Sequence, residues 1–435
     1  MPGLSLDGAV FSPDSPGYDA ARRPAHPAYR GVRPRLVAQC RSMSDVVRTL
    51  SYARGTGERF AIRSGGHCFA GRSSTDGVLL DLSGLDEVSV RRGIAGVGAG
   101  ARLGRVYAAL HESGRTLPAG CGPTVGIAGL TLGGGIGLLG RRYGLTSDRL
   151  VGARVVLADG SVVDCDPDCE PDLFWALRGA GGGQFGVVTT LRYETVPEPV
   201  MTRIEGTWSG VDPTALVAAW QDWAPDAPDE LTVNLTLVSD PGRPVGITLV
   251  GAAALDEAAT RTLLRDLLAP AGMPSAVVRL RGGLAYQRLK STLTDPRDVP
   301  ERVLRIRSEF FRRSLPPRLL GELLEGFGEQ RAAGRRQLTF TAMGGTYNRV
   351  PAAATAFAHR AERFLLEHIG DPSDGWVDQS WATAHRGGSG RVYPNFPDPV
   401  LADAPAAYHA ENRTRLAAIK RAYDPDGFFD VPRRS

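Results

Sequence analysis

The residues with the greatest capacity for chemistry lie in three glycine-rich pieces spread over about 125 residues. The first, Ser64-Gly65-Gly66-His67-Cys68-Phe69-Ala70-Gly71-Arg72-Ser73-Ser74, follows the apolar run Phe60-Ala61-Ile62-Arg63. Glycines admit positive φ and let main-chain N–H groups converge in a concave nest, which suits a pyrophosphate. The second, Gly126-Ile127-Ala128-Gly129-Leu130-Thr131-Leu132-Gly133-Gly134-Gly135-Ile136-Gly137, would let backbone approach a flat ligand closely, and the third runs from Gly179 to Val188. One such loop is an ordinary turn; three, each abutting an apolar strand, point to one extended ligand. A nicotinamide dinucleotide fits poorly. Gly133-Gly134-Gly135-Ile136-Gly137 lacks the Gly-x-Gly-x-x-Gly spacing between strand and helix, with an acid about 20 residues on, that such a fold uses. Read alone, His67 within the first loop more often caps a turn than does chemistry. Cys165 and Cys169 flank Asp-Pro-Asp without a second pair, so a solvated turn is favoured over zinc.

These loops need strands and helices to hold them. Phe60–Arg63, Gly77–Leu82 and the stretch Val151–Val163 read as strands. Helices are expected at 44–55, opened by Ser44 and closed by glycine, and at 103–114. Thr195-Val196-Pro197-Glu198-Pro199 has turn composition and marks a boundary. Beyond it, longer strands at Glu230–Ser239 and Val245–Leu255 alternate with amphipathic helices near 256–269, 316–328 and 352–368. That mixture predicts an α+β protein whose second part is an antiparallel sheet covered by helices. A helical tail is expected from Ala404 to Tyr423.

Composition narrows the function classes. At 435 residues the chain has room for two to three domains of roughly 150 residues. With 42% hydrophobic and 23% charged residues it reads as a packed globular protein. The net charge of +4 is carried by scattered arginines, with only Lys290 and Lys420 as lysines, and there is no basic stripe with interleaved aromatics, so nucleic acid is not an expected partner. No run of about 18 apolar residues spans a membrane. The start, Met1-Pro2-Gly3-Leu4-Ser5-Leu6-Asp7, lacks the regions of a secretory signal, so a cytoplasmic location is expected.

Taken in order, the motifs resemble the FAD-linked oxidases of the berberine bridge enzyme group, within the vanillyl-alcohol oxidase (PCMH-type) FAD-binding fold. The resemblance rests on Arg63-Ser64-Gly65-Gly66-His67, Gly126 to Gly137, Tyr143-Gly144-Leu145-Thr146-Ser147-Asp148 and Asp172-Leu173-Phe174-Trp175-Ala176-Leu177-Arg178-Gly179. It continues through Gly344 to Val350, Thr355-Ala356-Phe357-Ala358-His359-Arg360, Tyr393-Pro394-Asn395-Phe396-Pro397-Asp398 and Asn412 to Pro425, covering nearly the whole chain. It implies an FAD-binding domain of residues 1–197 completed by 401–435, a substrate domain of 198–400, and an active site between them.

The resemblance also implies roles. His67 matches the histidine bonded to the flavin 8α-carbon. Many members bond a cysteine as well, from a Cys-Pro-Thr-Val-Gly segment; here the chain reads Gly120-Cys121-Gly122-Pro123-Thr124-Val125-Gly126, so Gly122 fills the cysteine slot and Cys121 lies one residue early. One residue moves a thiol by about 3–4 Å, so a single link through His67 is expected, with Cys121 as a small neighbour of the ring. The implied cofactor contacts are Arg63, Ser64, Gly65, Gly66, Cys68, Gly71, Cys121, Gly122, Thr124, Val125, Gly126, Gly129, Gly133, Gly134, Gly186, Val187, Val188 and Asn395. Val125 falls where oxygen-reactive members tend to carry valine, which favours an oxidase. Tyr393 matches the tyrosine of a Tyr-x-Asn motif, with Asn395 beside it, and Phe396 stands where some members have a second tyrosine. A lone phenol with pKa near 10 is a weak base unless its site lowers it. Asp378 and His385 are candidate helpers, though a solvated loop position is favoured for each. Trp376, Trp381, Tyr347 and Phe340 are candidate pocket residues or core, and His111 and His409 are expected on helix surfaces. The segment between His368 and Tyr393 is short against the family.

The implied function is oxidation of a small organic molecule (an alcohol, a sugar or hemiacetal carbon, an amine, or an electron-rich aromatic that cyclises). Hydride passes to flavin N5, and oxygen reoxidises the flavin with release of hydrogen peroxide. The alternatives are a dehydrogenase with another electron acceptor, a flavoprotein catalysing a non-redox cyclisation, and a non-catalytic binding protein.

Overall fold

The computed structural model describes residues 4–293, 303–328 and 334–430; the first three residues and the last five of the segment 401–435 lie outside the described residues. The chain is α+β. Its amino-terminal part builds two sheets. In the first, Ala9–Phe11, Leu36–Gln39, Val78–Asp81 and Phe60–Arg63 lie side by side in that order, the last three mutually parallel. In the second, Val88–Arg91, Ile94–Gly98, Val187–Glu194, Leu150–Val156 and Val162–Cys165 form an antiparallel sheet. The expected strand stretch Val151–Val163 is therefore two strands, folded back through a turn in which Leu157 N–H bonds the Ser161 carbonyl. Arg115–Thr116 pairs with Val196–Pro197 at the expected boundary.

The helix Met43–Thr56 packs against both sheets, on the strands Val78–Asp81 and Leu150–Val156. Ser42, not Ser44, opens it: Ser42 is extended, and its hydroxyl accepts from Asp45 N–H at 3.2 Å, the arrangement that satisfies an orphan donor at a helix start. Gly57 closes it in the left-handed region. The second expected helix spans Leu103–Glu112.

Beyond residue 199 the chain forms one seven-stranded antiparallel sheet, ordered Arg279–Ala285, Val200–Ser209, Gly246–Ala253, Leu231–Ser239, Arg336–Ala342, Phe364–Gly370 and Arg305–Phe311. Side chains alternate across each strand. Leu231, Val233, Leu235 and Leu237 enter a core shared with the helices Thr214–Trp223, Glu257–Leu268, Pro317–Gly328 and Trp376–His385. The opposite face carries Thr232 and Asn234 and looks into the interior of the molecule.

The expected helix at 352–368 does not form. Residues 364–370 are instead a fully buried strand between two others. A strand buried on both faces loses the period-two pattern, and a short apolar run cannot be told from a buried helix by periodicity. The alanine-rich segment before it is held as loop by long-range bonds: Ala356 and Phe357 donate to the carbonyls of Trp175 and Arg178, and Asn412 Nδ2 donates to those of Ala352 and Thr355. The tail is likewise not one helix. Ala404–His409 and Arg413–Tyr423 are separated at Ala410, whose φ of 46° breaks the spiral. Among the described residues no helix is long and apolar enough to cross a membrane.

Candidate active site

A cavity of about 730 Å³ runs between the glycine-rich loops and the inner face of the seven-stranded sheet. Its floor is main chain. Ser64, Gly65, Gly66, His67 and Cys68 line it from the first loop; Cys121, Gly122, Val125, Gly126 and Gly129 from the second region; Gly186, Val187 and Val188 from the third. The glycines are required by closeness. A Cβ on Gly65 would lie 2.2 Å from the Gly126 nitrogen, and one on Gly126 would lie 2.2 Å from Ser64 Oγ. Two loops can meet back to back in this way only without side chains.

Other expected contacts stand behind this surface. Arg63 pairs with Asp81 beneath the first loop and also donates to the Arg22 carbonyl. Gly71 sits under the Tyr29 ring, Gly134 against Phe357, and Gly133 against Asn395, whose Oδ1 a Cβ would meet at 2.2 Å. Thr124 faces a separate, smaller recess. At the far end Phe60 stacks on Phe428 at 4.7 Å, and Lys420 Nζ holds both the Gln184 carbonyl and Asp424, tying the carboxy-terminal turn to the third glycine loop.

His67 is half-buried on the floor, with Nε2 3.0 Å from Thr124 Oγ1. Burial first, then the charge of Arg102, depresses its pKa to about 4, so the ring is neutral near pH 7. A neutral imidazole keeps one nitrogen lone pair for bonding.

At the roof end, Tyr393 Oη receives three N–H groups: Gly135 and Ile136 main chain at 3.1 Å each, and Asn395 Nδ2 at 2.9 Å. Asn395 is itself fixed by donating to the Leu130 carbonyl at 2.8 Å. The three donors favour phenolate, but burial outweighs them and the phenol's pKa is raised. Phe396 meets Tyr393 edge to face at 5.0 Å and lines the cavity.

The sheet contributes residues that no motif marked: Thr232, Asn234, Ile306, Thr341, Leu365 and Glu367 line the roof. Glu367 stands close enough to Tyr393 for its charge to raise the phenol's pKa further. Its one sequence signal is an acid that directly follows the apolar run Phe364-Leu365-Leu366.

The expected helpers and aromatics do not reach the cavity. Asp378 and His385 lie on the helix Trp376–His385, Asp378 bound to Arg305 and Arg307, and His385 3.0 Å from Glu309. Trp376 packs on Phe327, and Phe340 on Trp220. Trp381 lies 3.7 Å from the Arg307 guanidinium and donates to the Ser308 carbonyl. Tyr347 Oη bonds Gly137 main chain. His111 is half exposed and pairs with Glu198 at 2.5 Å. His409, expected on the surface, is half-buried; burial and Arg72 lower its pKa to about 4. Cys165 is buried in a strand and Cys169 exposed in a turn, and among the described residues no cluster of three or more metal-ligating side chains occurs.

The FAD binding domain family matches residues 34–166, and the family described as berberine and berberine like matches residues 392–433. Fold and matches together define an FAD-dependent oxidoreductase. The chain is 30% identical to the FAD-linked oxidoreductase YgaK of Bacillus subtilis, covering 99% of this chain and 97% of that protein. It is also 30% identical to the glucooligosaccharide oxidase of Sarocladium strictum, covering 91% and 86% of the two. The BBE-like 1 protein of Physcomitrella patens shares the fold with a TM-score of 0.88 at 24% identity, over 98% and 96% of the two chains. The chain belongs to the berberine bridge enzyme-like family of FAD-linked oxidoreductases.

Proposed function

We propose that this protein is an FAD-dependent oxidase of specialised metabolism, which removes a hydride from a small organic molecule and passes the electrons to oxygen. Bound FAD supplies the hydride acceptor and, once reduced, the site of reaction with oxygen. Residues 1–197, closed by 401–435, hold the cofactor, and 198–400 hold the substrate. Support for this division comes from the tie of Lys420 to Gln184 and from the cavity lying between the loops and the sheet.

The observation that carries the reading is the pairing, across one cavity, of a glycine-built floor bearing a neutral His67 with a roof bearing Glu367 and Tyr393. His67 attaches the cofactor, and no bond to Cys121 is needed, although Cys121 also lines the floor. Asn395 and the Gly135 and Ile136 amides hold Tyr393 in place. Because burial raises the phenol's pKa, the substrate's O–H or N–H proton passes to the carboxylate of Glu367, with Tyr393 orienting the donor. Val125 lines the floor as a small side chain, leaving room for oxygen, and a relative named as an oxidase supports the same acceptor.

The test is an anaerobic screen of alcohols, sugars, amines and phenolic alkaloids. A substrate bleaches the flavin absorbance, and admission of air restores it with one hydrogen peroxide per turnover. Bleaching that air does not reverse, but a dye does, would make the protein a dehydrogenase; product without bleaching would make it a non-redox cyclase.

A further inference from the structure

The floor beneath His67 is thin. His67 lines the large cavity, whereas Thr124 lines a second recess of about 330 Å³ behind it, together with Arg23, Asp81 and Arg102. Ser64 and Gly65 border both spaces, so the wall between them is the contact of the Ser64–Gly65 turn with the Thr124–Gly126 segment. The two side chains meet through this wall, His67 Nε2 standing 3.0 Å from Thr124 Oγ1. The Thr124 main chain also works to keep a proton on the ring. With the ring proton on Nε2, the Thr124 hydroxyl accepts it at this distance. Nδ1 then carries the free lone pair.

We infer that Thr124 is a positioning residue for covalent attachment of the flavin, holding His67 with Nε2–H turned away from the cavity and passing that proton into the recess behind. The inference rests on the histidyl linkage proposed above. In the attachment one carbon–nitrogen bond forms between the flavin 8α-carbon and the free ring nitrogen. One methyl C–H bond and the Nε2–H bond break. The two protons and two electrons released go to dioxygen, which becomes hydrogen peroxide. The methyl proton leaves on the cavity side, whereas the Nε2 proton faces Thr124 and the recess behind it. A hydroxyl can accept a proton from the ring while giving its own to water. Thr124 lines the recess and supplies a side-chain hydroxyl within hydrogen-bond distance of the His67 ring.

The experiment uses the full chain produced under riboflavin starvation and then given FAD. Linkage is followed as fluorescence retained by acid-precipitated protein and as gain in intact mass, both expressed per bound FAD. Thr124→Val should bind FAD with a normal visible spectrum yet link it about tenfold or more slowly, because the hydroxyl that takes the proton is gone. Thr124→Ala, which removes the hydroxyl without filling space, should slow linkage equally, and Thr124→Ser should restore it. Linkage at the wild-type rate in the Val and Ala variants would overturn the inference. So would equal slowing in the Ser variant, since shape rather than the hydroxyl would then matter. Absence of covalent flavin in the wild-type protein would instead remove the histidyl linkage on which the inference stands.

Discussion

The floor and the roof of the cavity are built in different ways. On the floor, recognition groups are main chain, supplied by short contiguous loops whose glycines let Gly65 and Gly126 meet at distances a Cβ would forbid. On the roof they are side chains, one or two from each of four strands spread from Thr232 to Glu367. A floor of this kind can hold one cofactor and little else, because backbone spacing is fixed. A roof of this kind can be re-cut residue by residue without disturbing the sheet, whose other face is locked to four helices. The difference explains how one scaffold keeps its cofactor while its substrate changes.

Substitutions on the two sides should separate accordingly. The largest effect is expected on the roof. Glu367→Gln should slow anaerobic flavin reduction by about 10²–10⁴-fold, the range for a positioned acid–base group, with flavin content unchanged. Stopped-flow reduction by a substrate found in the screen checks it, and a rate within threefold of wild type would take Glu367 out of the chemistry.

Behind the roof, Glu309 is fully buried, and burial raises its pKa from 4.5 to about 7 against the opposing pull of His385. A carboxyl whose pKa is raised on folding binds more protons folded than unfolded, so its contribution is complete below about pH 4.5 and is lost as pH rises through about 7. Wild-type stability should therefore fall by up to about 3 kcal/mol across that window relative to Glu309→Gln. Denaturant melts of both proteins at pH 4.5, 6 and 7.5 test it; parallel curves would show that the buried carboxyl does not titrate there.

On the floor, Gly126→Ala forces a Cβ against Ser64 and Gly65, so it should cost about 1–3 kcal/mol and reduce flavin content while leaving the roof intact. Flavin-to-protein absorbance ratio and melting temperature read both effects. Full flavin content and an unchanged melt would mean that the two loops can part without consequence.

The same contrast governs what the sequence reveals. Floor residues follow one another in the chain, so Arg63 to His67 and Gly126 to Gly137 are legible as motifs, and the α+β architecture follows from the change in pattern near residue 197. Glu367 is not legible in this way. It occupies a strand buried on both faces, whose pattern reads equally as helix, and apart from Leu365 its neighbours in the site lie tens to over a hundred residues away. The aromatic candidates fail for a related reason. Trp376, Trp381, Tyr347 and Phe340 are near the cavity in sequence terms, but alternation along strands and the face of each helix turn them into the core or onto arginine. His409 shows the reverse error, since a helix position says nothing about what packs over it, and here Tyr408 and Arg72 are its neighbours.

The central claim is that the floor binds FAD and His67 bonds it. Purified protein should be precipitated with acid, and the colour of pellet and supernatant compared for wild type and His67→Ala. The account predicts a yellow wild-type pellet and a colourless His67→Ala pellet, with any flavin of the variant free in the supernatant. A colourless wild-type pellet would contradict the covalent link, and a yellow pellet surviving His67→Ala would move the bond to another residue, Cys121 first among them.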